Sequence, residues 1–275
     1  MSRPTRYSYV GLAVLLAGAV AVGCAHIAPH GGAQKRETRR ALFAALTPAK
    51  LANCTLQRYG DARDGGYLMC ENLMGEAQAA YSYGVDGRDQ WGCDVSRQLR
   101  TTVHEYDCFN LTRPMCDRGT FQFHEECVGN QTTTKEGRPY DTLPNHLVRN
   151  NDAGKRLIVK MDVEGSEWES ILAAPDSVLA SIDQLILELH GTDEPRFVEA
   201  VEKLTRQFYV VHFHANNHAC SSGLAPFTAW ANEVLLVNKR IGVPDTSGGL
   251  PVLPNPLDAP NAAAVRDCQP TFRAH

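Results

Sequence analysis

From residue 79 onwards, short apolar runs alternate with amphipathic stretches whose apolar positions recur at helical spacing. The short runs predict β-strands, and the amphipathic stretches predict α-helices. The predicted strands are 79–84, 101–106, 120–127, 156–161, 185–189, 209–213 and 233–237. The predicted helices are 35–51, 94–100, 141–150, 167–173 and 195–208.

The order of these elements predicts the fold class. Strands that alternate with helices form right-handed units around a largely parallel sheet. The last two predicted strands have no helix between them, so we expect them to form an antiparallel hairpin at one edge. The pattern therefore predicts an α/β fold with a seven-stranded, mostly parallel sheet that finishes in a C-terminal antiparallel hairpin.

The first 24 residues have the layout of a secretory signal. Residues 1–9 carry two arginines and no acid, and residues 10–24 form an uninterrupted run of apolar residues and glycine. This run is short for a membrane span, which needs about 20 residues. Small residues precede Cys24, as a lipoprotein signal peptidase requires, so Cys24 is a candidate lipidation site. An ordinary cleaved signal and an uncleaved signal anchor are the alternatives.

Four segments are predicted along the chain. Residues 1–24 form a signal peptide or signal anchor, residues 25–40 a tether, residues 41–240 the folded domain, and residues 241–275 a proline-rich extension. Without residues 1–24 the chain has 25 basic and 31 acidic residues, a net charge of −6. This acidic balance argues against a nucleic-acid surface. We expect an exported or anchored protein that contacts a membrane only through its N-terminus.

The cysteines predict disulfide bonds. Apart from the candidate lipidation site, the chain has eight cysteines, an even number behind a secretory signal. Their spacing does not form C-x-x-C pairs, which disfavours a structural zinc site. Proximity in sequence favours the pairs Cys54–Cys70 and Cys116–Cys127, and Cys268 is a candidate to pin the C-terminal extension.

The first two strands of the predicted sheet end in residues that suit a nucleoside. Gly84 and Gly87 let the backbone approach a ligand and turn into the next helix, and Asp86 lies between them. Asp107 closes the second strand about 20 residues later, where an acid can accept hydrogen bonds from both ribose hydroxyls. Glu105 is the alternative. The G-x-x-G spacing differs from the dinucleotide fingerprint, which disfavours a nicotinamide oxidoreductase.

The fourth and fifth strands end in candidate catalytic and substrate-binding groups. A buried strand runs directly into Asp162 and Glu164, and unpaired buried carboxylates are costly without a functional partner. On the next strand, Glu188 and His190 share one face because side chains alternate. Asp162, Glu164 and His190 are the candidate catalytic residues, with His190 able to accept a proton near neutral pH. Glu188 is a candidate substrate ligand.

The segment K-M-D-V-E-G-S-E-W at 160–168 resembles the signature of FkbM-type and related methyltransferase-like proteins. Other blocks that agree in order are 54–70, 81–85, Asp107, 185–190, 216–217 and 232–238. The similarity spans residues from about 53 to 240. It implies the class I, Rossmann-like methyltransferase fold, S-adenosyl-L-methionine as cofactor, and methyl transfer, often to a hydroxyl oxygen of a small-molecule or glycan-like acceptor.

The resemblance leaves a non-enzymatic alternative open. S-adenosylmethionine is made in the cytosol, so an exported protein of this fold could instead be a catalytically inactive binding module at the cell surface. The segment 212–220 contains three histidines and a cysteine, but Cys220 is a disulfide candidate, and we predict no metal site. His214 and Asn217 are instead candidates for the edge of the substrate pocket.

Overall fold

The computed structural model describes residues 30–247 and 249–273. The helices are α1 His30–Ala45, α2 Gln90–Leu99, α3 Leu143–Arg149, α4 Glu167–Ala173, α5 Asp176–Ser181 and α6 Pro195–Gln207. The strands are β1 Leu56–Gly60, β2 Gly66–Cys70, β3 Ala79–Tyr83, β4 Thr102–Tyr106, β5 Thr120–His124, β6 Cys127–Val128, β7 Thr133–Lys135, β8 Arg138–Asp141, β9 Leu157–Met161, β10 Ile182–His190, β11 Phe208–Ala215 and β12 Ala231–Asn238.

A seven-stranded sheet forms the centre of the molecule, with the strand order β11-β12-β10-β9-β3-β4-β5. Strands β10, β9, β3, β4 and β5 pair in parallel, and β12 runs antiparallel to both of its neighbours. The mixed α/β fold and the mostly parallel seven-stranded sheet are therefore confirmed. The last two strands pair antiparallel at one edge, as predicted.

Helices cover both faces of this sheet, so its central strands read as continuous apolar runs. One core lies between the sheet and α1, α3, α4, α5 and α6, and the other lies between the sheet, α2 and the hairpin β1–β2. Trp168 is the largest fully buried side chain of the first core, and Trp91 that of the second. Asp89 and Thr142 cap the N-termini of α2 and α3 through their side chains.

Several elements differ from the sequence-based expectation. The predicted strand 120–127 is two strands, β5 and β6, and β6 belongs to a separate three-stranded sheet with β8 and β7. The hairpin β1–β2 and helix α5 were not predicted. The hairpin matters for the site because β2 packs against β10 and β12 rather than extending the main sheet.

The N-terminal helix begins earlier than predicted. Helix α1 starts at His30, inside the predicted tether, and ends at Ala45 rather than Leu51. Leu42 and Leu46 are buried in the core, and Arg39 forms an ion pair with Asp193, so tertiary contacts hold this segment in place. The predicted signal segment and Cys24 lie outside the described residues. Within the described ranges, none of the helices is long and apolar enough to cross a membrane.

Four disulfide bonds link the eight cysteines of the described chain: Cys54–Cys70, Cys93–Cys116, Cys108–Cys127 and Cys220–Cys268. The predicted pair Cys54–Cys70 is confirmed, and the predicted pair Cys116–Cys127 is wrong. Parallel pairing of β4 and β5 brings the residues that follow the two strands together, so Cys127 meets Cys108. The four bonds fit an exported protein in an oxidising compartment.

The C-terminal extension is packed onto the domain. Cys268 bonds to Cys220, and Phe272 stacks on Phe43 with ring centroids 4.2 Å apart. Polar contacts add to this attachment, because Asp258 pairs with His212 at 2.9 Å. The extension therefore stabilises the edge of the sheet that carries β11 and β12.

Candidate functional site

Candidate residues from four strands meet at the carboxyl-terminal edge of the main sheet. Gly84 follows β3, Asp107 follows β4, Asp162 follows β9, and His190 is the last residue of β10. Because these strands are parallel neighbours, their carboxyl ends lie at the same edge, where open α/β sheets bind ligands. The structure thus brings together residues that are far apart in sequence.

The glycine loop after β3 is shaped by its protein neighbours. Gly84 and Gly87 both have positive φ angles, +75° and +76°, which favour glycine. A Cβ at position 84 would collide with the carbonyl oxygen of Asp162, so Gly84 is required for the close approach of the β3 and β9 termini. Lys160 extends from β9 and donates to the Gly84 carbonyl oxygen at 2.9 Å.

Asp107 organises the loops around it. Its Oδ2 accepts hydrogen bonds from the backbone amides of Val85 and Asp86 at 3.2 and 2.9 Å, and its Oδ1 accepts from Phe109 and Asn110 at 2.8 and 3.0 Å. A carboxylate has about four acceptor positions, so these four hydrogen bonds occupy all of them. Asp107 therefore joins the glycine loop to the segment after β4.

Glu105 does not line the ligand cavities of this edge, contrary to its role as the alternative ribose ligand. Side chains alternate along β4, so Glu105 faces α2 on the side of the sheet away from Tyr106. It is completely buried, and neither carboxylate oxygen has a hydrogen-bond partner among the described residues. Burial, helped by the charge of Asp89 and opposed by Lys160, raises the pKa of Glu105 to about 9.

Asp162 lies at the junction of three cavities. Its Oδ2 accepts a hydrogen bond from the Tyr67 hydroxyl at 2.8 Å and lies 3.8 Å from the Lys160 ammonium. Its Oδ1 points the other way, 4.0 Å from His190 Nε2. The adjacent Glu164 has a positive φ of 55° and a side chain that is 81% exposed, so it projects from the turn into solvent.

His190 is held in one orientation by Glu167 at the start of α4. The Glu167 carboxylate accepts hydrogen bonds from the backbone amides of Val163 and Gly165 at 2.7 and 2.9 Å, and it bonds His190 Nδ1 at 3.0 Å. Burial acts to lower the pKa of His190. The hydrogen bond to Glu167 and the charges of nearby carboxylates, among them Asp162, outweigh this effect and raise the pKa.

Glu188 faces the same space as His190. Its Oε1 accepts a hydrogen bond from Asn216 Nδ2 at 2.9 Å and lies 3.7 Å from His190 Nε2. Burial, together with the charges of Asp162 and Glu233, raises the pKa of Glu188 well above its usual range. The predicted pair of Glu188 and His190 on one face of the strand is therefore present.

His214 and Asn217 are engaged in other contacts rather than at the pocket edge. His214 is buried and bonds Glu233 through Nδ1 at 2.9 Å. The Asn217 amide donates to the carbonyl oxygens of Ala262 and Val265, and so binds the C-terminal extension. The lining position is taken by Asn216 and His218, because the short helical turn at 217–219 directs Asn217 away from the cavity.

Three of the cavities along this edge share the lining residue Asp162. The first, of about 400 Å³, is lined mainly by apolar atoms, including those of Phe109, Val128 and Tyr140. The second, of about 290 Å³, is mainly polar and includes Lys160. The third, of about 480 Å³, is lined by several charged groups. The first two meet at Gly84, Asp86 and Asp162, and Asp162 also lines the third.

Four residues of this site were not predicted as site residues from the sequence: Tyr67, Lys160, Glu167 and Asn216. A lysine inside the otherwise apolar run L-I-V-K-M was a visible signal for Lys160. Tyr67 and Asn216 fall in the blocks 54–70 and 216–217 of the family resemblance, but the sequence assigns them no role because both reach the site through tertiary packing. No protein-family model matches the chain, and no curated protein matches it either.

Proposed function

We propose that the protein is an S-adenosylmethionine-dependent methyltransferase that acts on a hydroxyl of a small-molecule or glycan-like acceptor. The observation that carries the proposal is the junction of an apolar and a polar cavity at Gly84, Asp86 and Asp162. Together these cavities suit an elongated ligand with an aromatic base at one end and a charged group at the other. The resemblance of residues 160–168 to FkbM-type proteins agrees with this assignment.

The residues present fit such a cofactor. Phe109, Val128 and Tyr140 supply apolar surface for a purine base in the first cavity. The second cavity contains cations and carboxylates side by side, with Arg88 paired to Asp61 and Lys160 near Asp162. This mixture complements the ammonium and carboxylate of an amino-acid group. Backbone amides already occupy the four acceptor positions of Asp107, so its predicted contact with the ribose would share those positions. The main contribution of Asp107 is therefore to fix the glycine loop.

The strand order supports the same proposal. The order β5-β4-β3-β9-β10-β12-β11, with only β12 reversed, corresponds to the seven-stranded arrangement expected of class I methyltransferases. In that arrangement the cofactor binds over the ends of the first, second and fourth strands, which here are β3, β4 and β9. The two joined cavities lie at these three strand ends.

The third cavity suits the methyl acceptor. When bound, the cofactor supplies an electrophilic methyl group, and transfer needs an acceptor oxygen held in line with it. Asp162 borders both the cofactor cavities and the third cavity, so it lies where donor and acceptor would meet. Glu164, Glu188 and His190 line the acceptor side and can accept hydrogen bonds from hydroxyl groups.

Isothermal titration of the oxidised protein with S-adenosylmethionine tests the proposal. We expect one site per chain, and Lys160→Met should weaken binding about tenfold because the Gly84 carbonyl loses its ammonium partner. Lys155→Met is the matched control, since Lys155 pairs with Asp152 away from these cavities. Absence of binding by both the oxidised and the reduced protein would contradict the proposal.

A cell-surface binding module without catalytic activity is the second candidate. Two observations favour it: the four disulfide bonds fit an exported protein, and the Asp107 carboxylate is saturated by backbone amides. The same titration separates the candidates, because a module of this kind would give no heat with S-adenosylmethionine. A screen against monosaccharides and oligosaccharides would then identify its ligand.

A further inference from the structure

Three side chains in the third cavity present possible metal-ligand atoms to one point. Asp162, Glu188 and His190 each offer one ligand atom, and these atoms all lie within 4.8 Å of one another. We propose that they form a binding site for a divalent transition metal of the Mn²⁺ or Zn²⁺ class. The sequence alone predicted no metal here, because Glu188 and His190 lie on one strand and Asp162 follows another, and this arrangement has no motif spacing.

The orientation of His190 is the first observation behind this site. Its Nδ1 is bonded to the Glu167 carboxylate at 3.0 Å, and Glu167 is itself fixed by two backbone amides. A histidine that binds a metal commonly donates its other ring N–H to a carboxylate, which fixes the tautomer and directs the free nitrogen. Here that arrangement directs His190 Nε2 into the cavity, where the neutral ring can bind a metal.

His190 Nε2 has no hydrogen-bond partner among the described residues, although only 3% of the side chain is exposed. Its nearest acceptors are oxygens of Glu164 at 3.6 Å, Glu188 at 3.7 Å and Asp162 at 4.0 Å. All three distances exceed those of hydrogen bonds. His190 Nε2 therefore faces three carboxylate groups without bonding to any of them, and this arrangement leaves room for a cation between them.

Lysine and arginine side chains balance the charges of the cluster only in part. Among the ion pairs of the described residues, Glu188 and Glu164 pair only with His190. Lys160 and Tyr67 both contact Asp162 on the Oδ2 side, which leaves Oδ1 facing His190. A divalent cation at this point would compensate the carboxylates of the cluster and accept Asp162 Oδ1, Glu188 and His190 Nε2 as ligands.

The donor set selects the class of metal. One imidazole and two carboxylates suit Zn²⁺, Fe²⁺ or Mn²⁺, whereas Mg²⁺ and Ca²⁺ prefer oxygen ligands alone. Ligand atoms on one such ion, at about 2.1 Å from it, lie roughly 3.0–3.5 Å apart, so modest side-chain rotation closes the observed gaps. The remaining coordination positions face the cavity of about 480 Å³, where a hydroxyl ligand can enter.

A second cluster in the same chain shows the contrasting case. Glu126, Asp141 and His146 also bring three ligand atoms together. There the guanidinium of Arg149 contacts Glu126 and lies 3.6 Å from Asp141, so a protein cation already balances the carboxylates. In the cluster around His190, Lys160 pairs with Asp162 at 3.8 Å, but no lysine or arginine of the described residues pairs with Glu188, which is why we assign the metal to this cluster.

The metal would give the acceptor cavity a specific role. A divalent ion lowers the pKa of a bound hydroxyl or water, so it would bind an acceptor through its oxygen and favour its ionised form. This role rests on the proposed methyltransferase function, but the metal site itself does not. Metal binding and S-adenosylmethionine binding can therefore be measured separately.

The test uses the full chain with its disulfides formed, freed of metal with a chelator and then titrated with MnCl₂ and ZnCl₂. We expect one site per chain by calorimetry, and a bound-Mn²⁺ signal in electron paramagnetic resonance. Glu188→Gln preserves the hydrogen bond from Asn216 and should weaken binding at least tenfold. His190→Gln and Asp162→Asn should have effects of similar size. Glu126→Gln is the matched control and should leave binding unchanged.

The outcomes separate the two proposals. Loss of metal binding in Glu188→Gln, with an unchanged thermal unfolding midpoint in metal-free buffer, supports the site. Failure of the wild-type chain to bind either metal at about 1 mM, or equal binding by wild type, Glu188→Gln and Asp162→Asn, overturns it. Titration of the metal-free chain with S-adenosylmethionine tests the proposed function independently, whichever result the metal gives.

Discussion

The Tyr67 hydroxyl donates a hydrogen bond to Asp162 Oδ2 at 2.8 Å, and this bond ties a residue of the β1–β2 hairpin to the centre of the candidate site. Tyr67 is buried, and the Asp162 carboxylate borders all three cavities. Burial and the charge of Asp162 raise the pKa of Tyr67, so it stays protonated as a donor. The hairpin therefore positions the carboxylate on which the proposed function depends.

Tyr67→Phe should reduce the affinity for S-adenosylmethionine about tenfold. The change removes one hydrogen bond to a charged acceptor, a loss of about 1.5 kcal/mol, and leaves the ring packing in place. Titration calorimetry gives the affinity. Tyr59→Phe is the matched control, because Tyr59 lies in the same hairpin but does not bond Asp162. Equal effects of the two substitutions would show that the hairpin acts through packing alone.

Asp107→Asn should lower the free energy of unfolding by about 3 kcal/mol. An amide offers one oxygen, so two of the four backbone amides that bond Asp107 would face an NH₂ group instead. Urea unfolding measures the loss, and Asp86→Asn, at an exposed position in the same loop, should change it little. Unchanged stability together with weaker S-adenosylmethionine binding would instead identify Asp107 as a direct ligand.

The sequence was sufficient to place the main site residues at one edge of the sheet. His190 ends a strand, and Asp107 and Asp162 directly follow one, so the parallel pairing of these strands brings the three residues to the same edge. Alternation along β10 was likewise enough to put Glu188 beside His190. These features depend on local periodicity and strand direction, both of which are visible in the pattern of apolar residues.

Other features depend on tertiary approach and could not be predicted. Tyr67 reaches Asp162 across 95 positions in sequence, because an unpredicted hairpin folds over the sheet. The pairing of Cys108 with Cys127 depends on β4 and β5 being neighbours. Glu105 and Asp107 are close in sequence, yet the first is buried under α2 within the strand and the second, just beyond its end, lines a cavity.

Glu105→Gln should stabilise the protein at alkaline pH. Burial raises the pKa of Glu105 to about 9 in the folded state, so folding favours the protonated form. Its contribution to stability is complete below the unfolded value of 4.5 and is lost as the pH rises towards 9, at about 1.4 kcal/mol per pH unit. Unfolding experiments at pH 6 and pH 8.5 should show this slope in the wild type and its reduction in the variant.

The matched control for Glu105 is Glu136→Gln. The side chain of Glu136 is 86% exposed, so neutralising it removes a charge without changing a buried group. This control should keep the wild-type decline in unfolding free energy between pH 6 and pH 8.5. The same decline in Glu105→Gln would mean that Glu105 is not the group that titrates in this range.

His146→Phe should make the protein less sensitive to acid. His146 is fully buried and stacks on Tyr106 with ring centroids 4.2 Å apart. Burial and the charge of Arg149 lower its pKa to about 3, so folding favours the neutral ring. This contribution is complete above the unfolded value of 6.5 and is lost as the pH falls towards 3, which amounts to about 2 kcal/mol at pH 5.

The measurement for His146 is the difference in unfolding free energy between pH 7 and pH 5. Phenylalanine preserves the stacking on Tyr106 but loses the bond between His146 Nδ1 and the Tyr83 hydroxyl, and this loss is the same at both pH values. The pH difference therefore isolates the titration of the ring from any packing defect. A variant that loses as much stability between pH 7 and pH 5 as the wild type would show that other groups control acid unfolding.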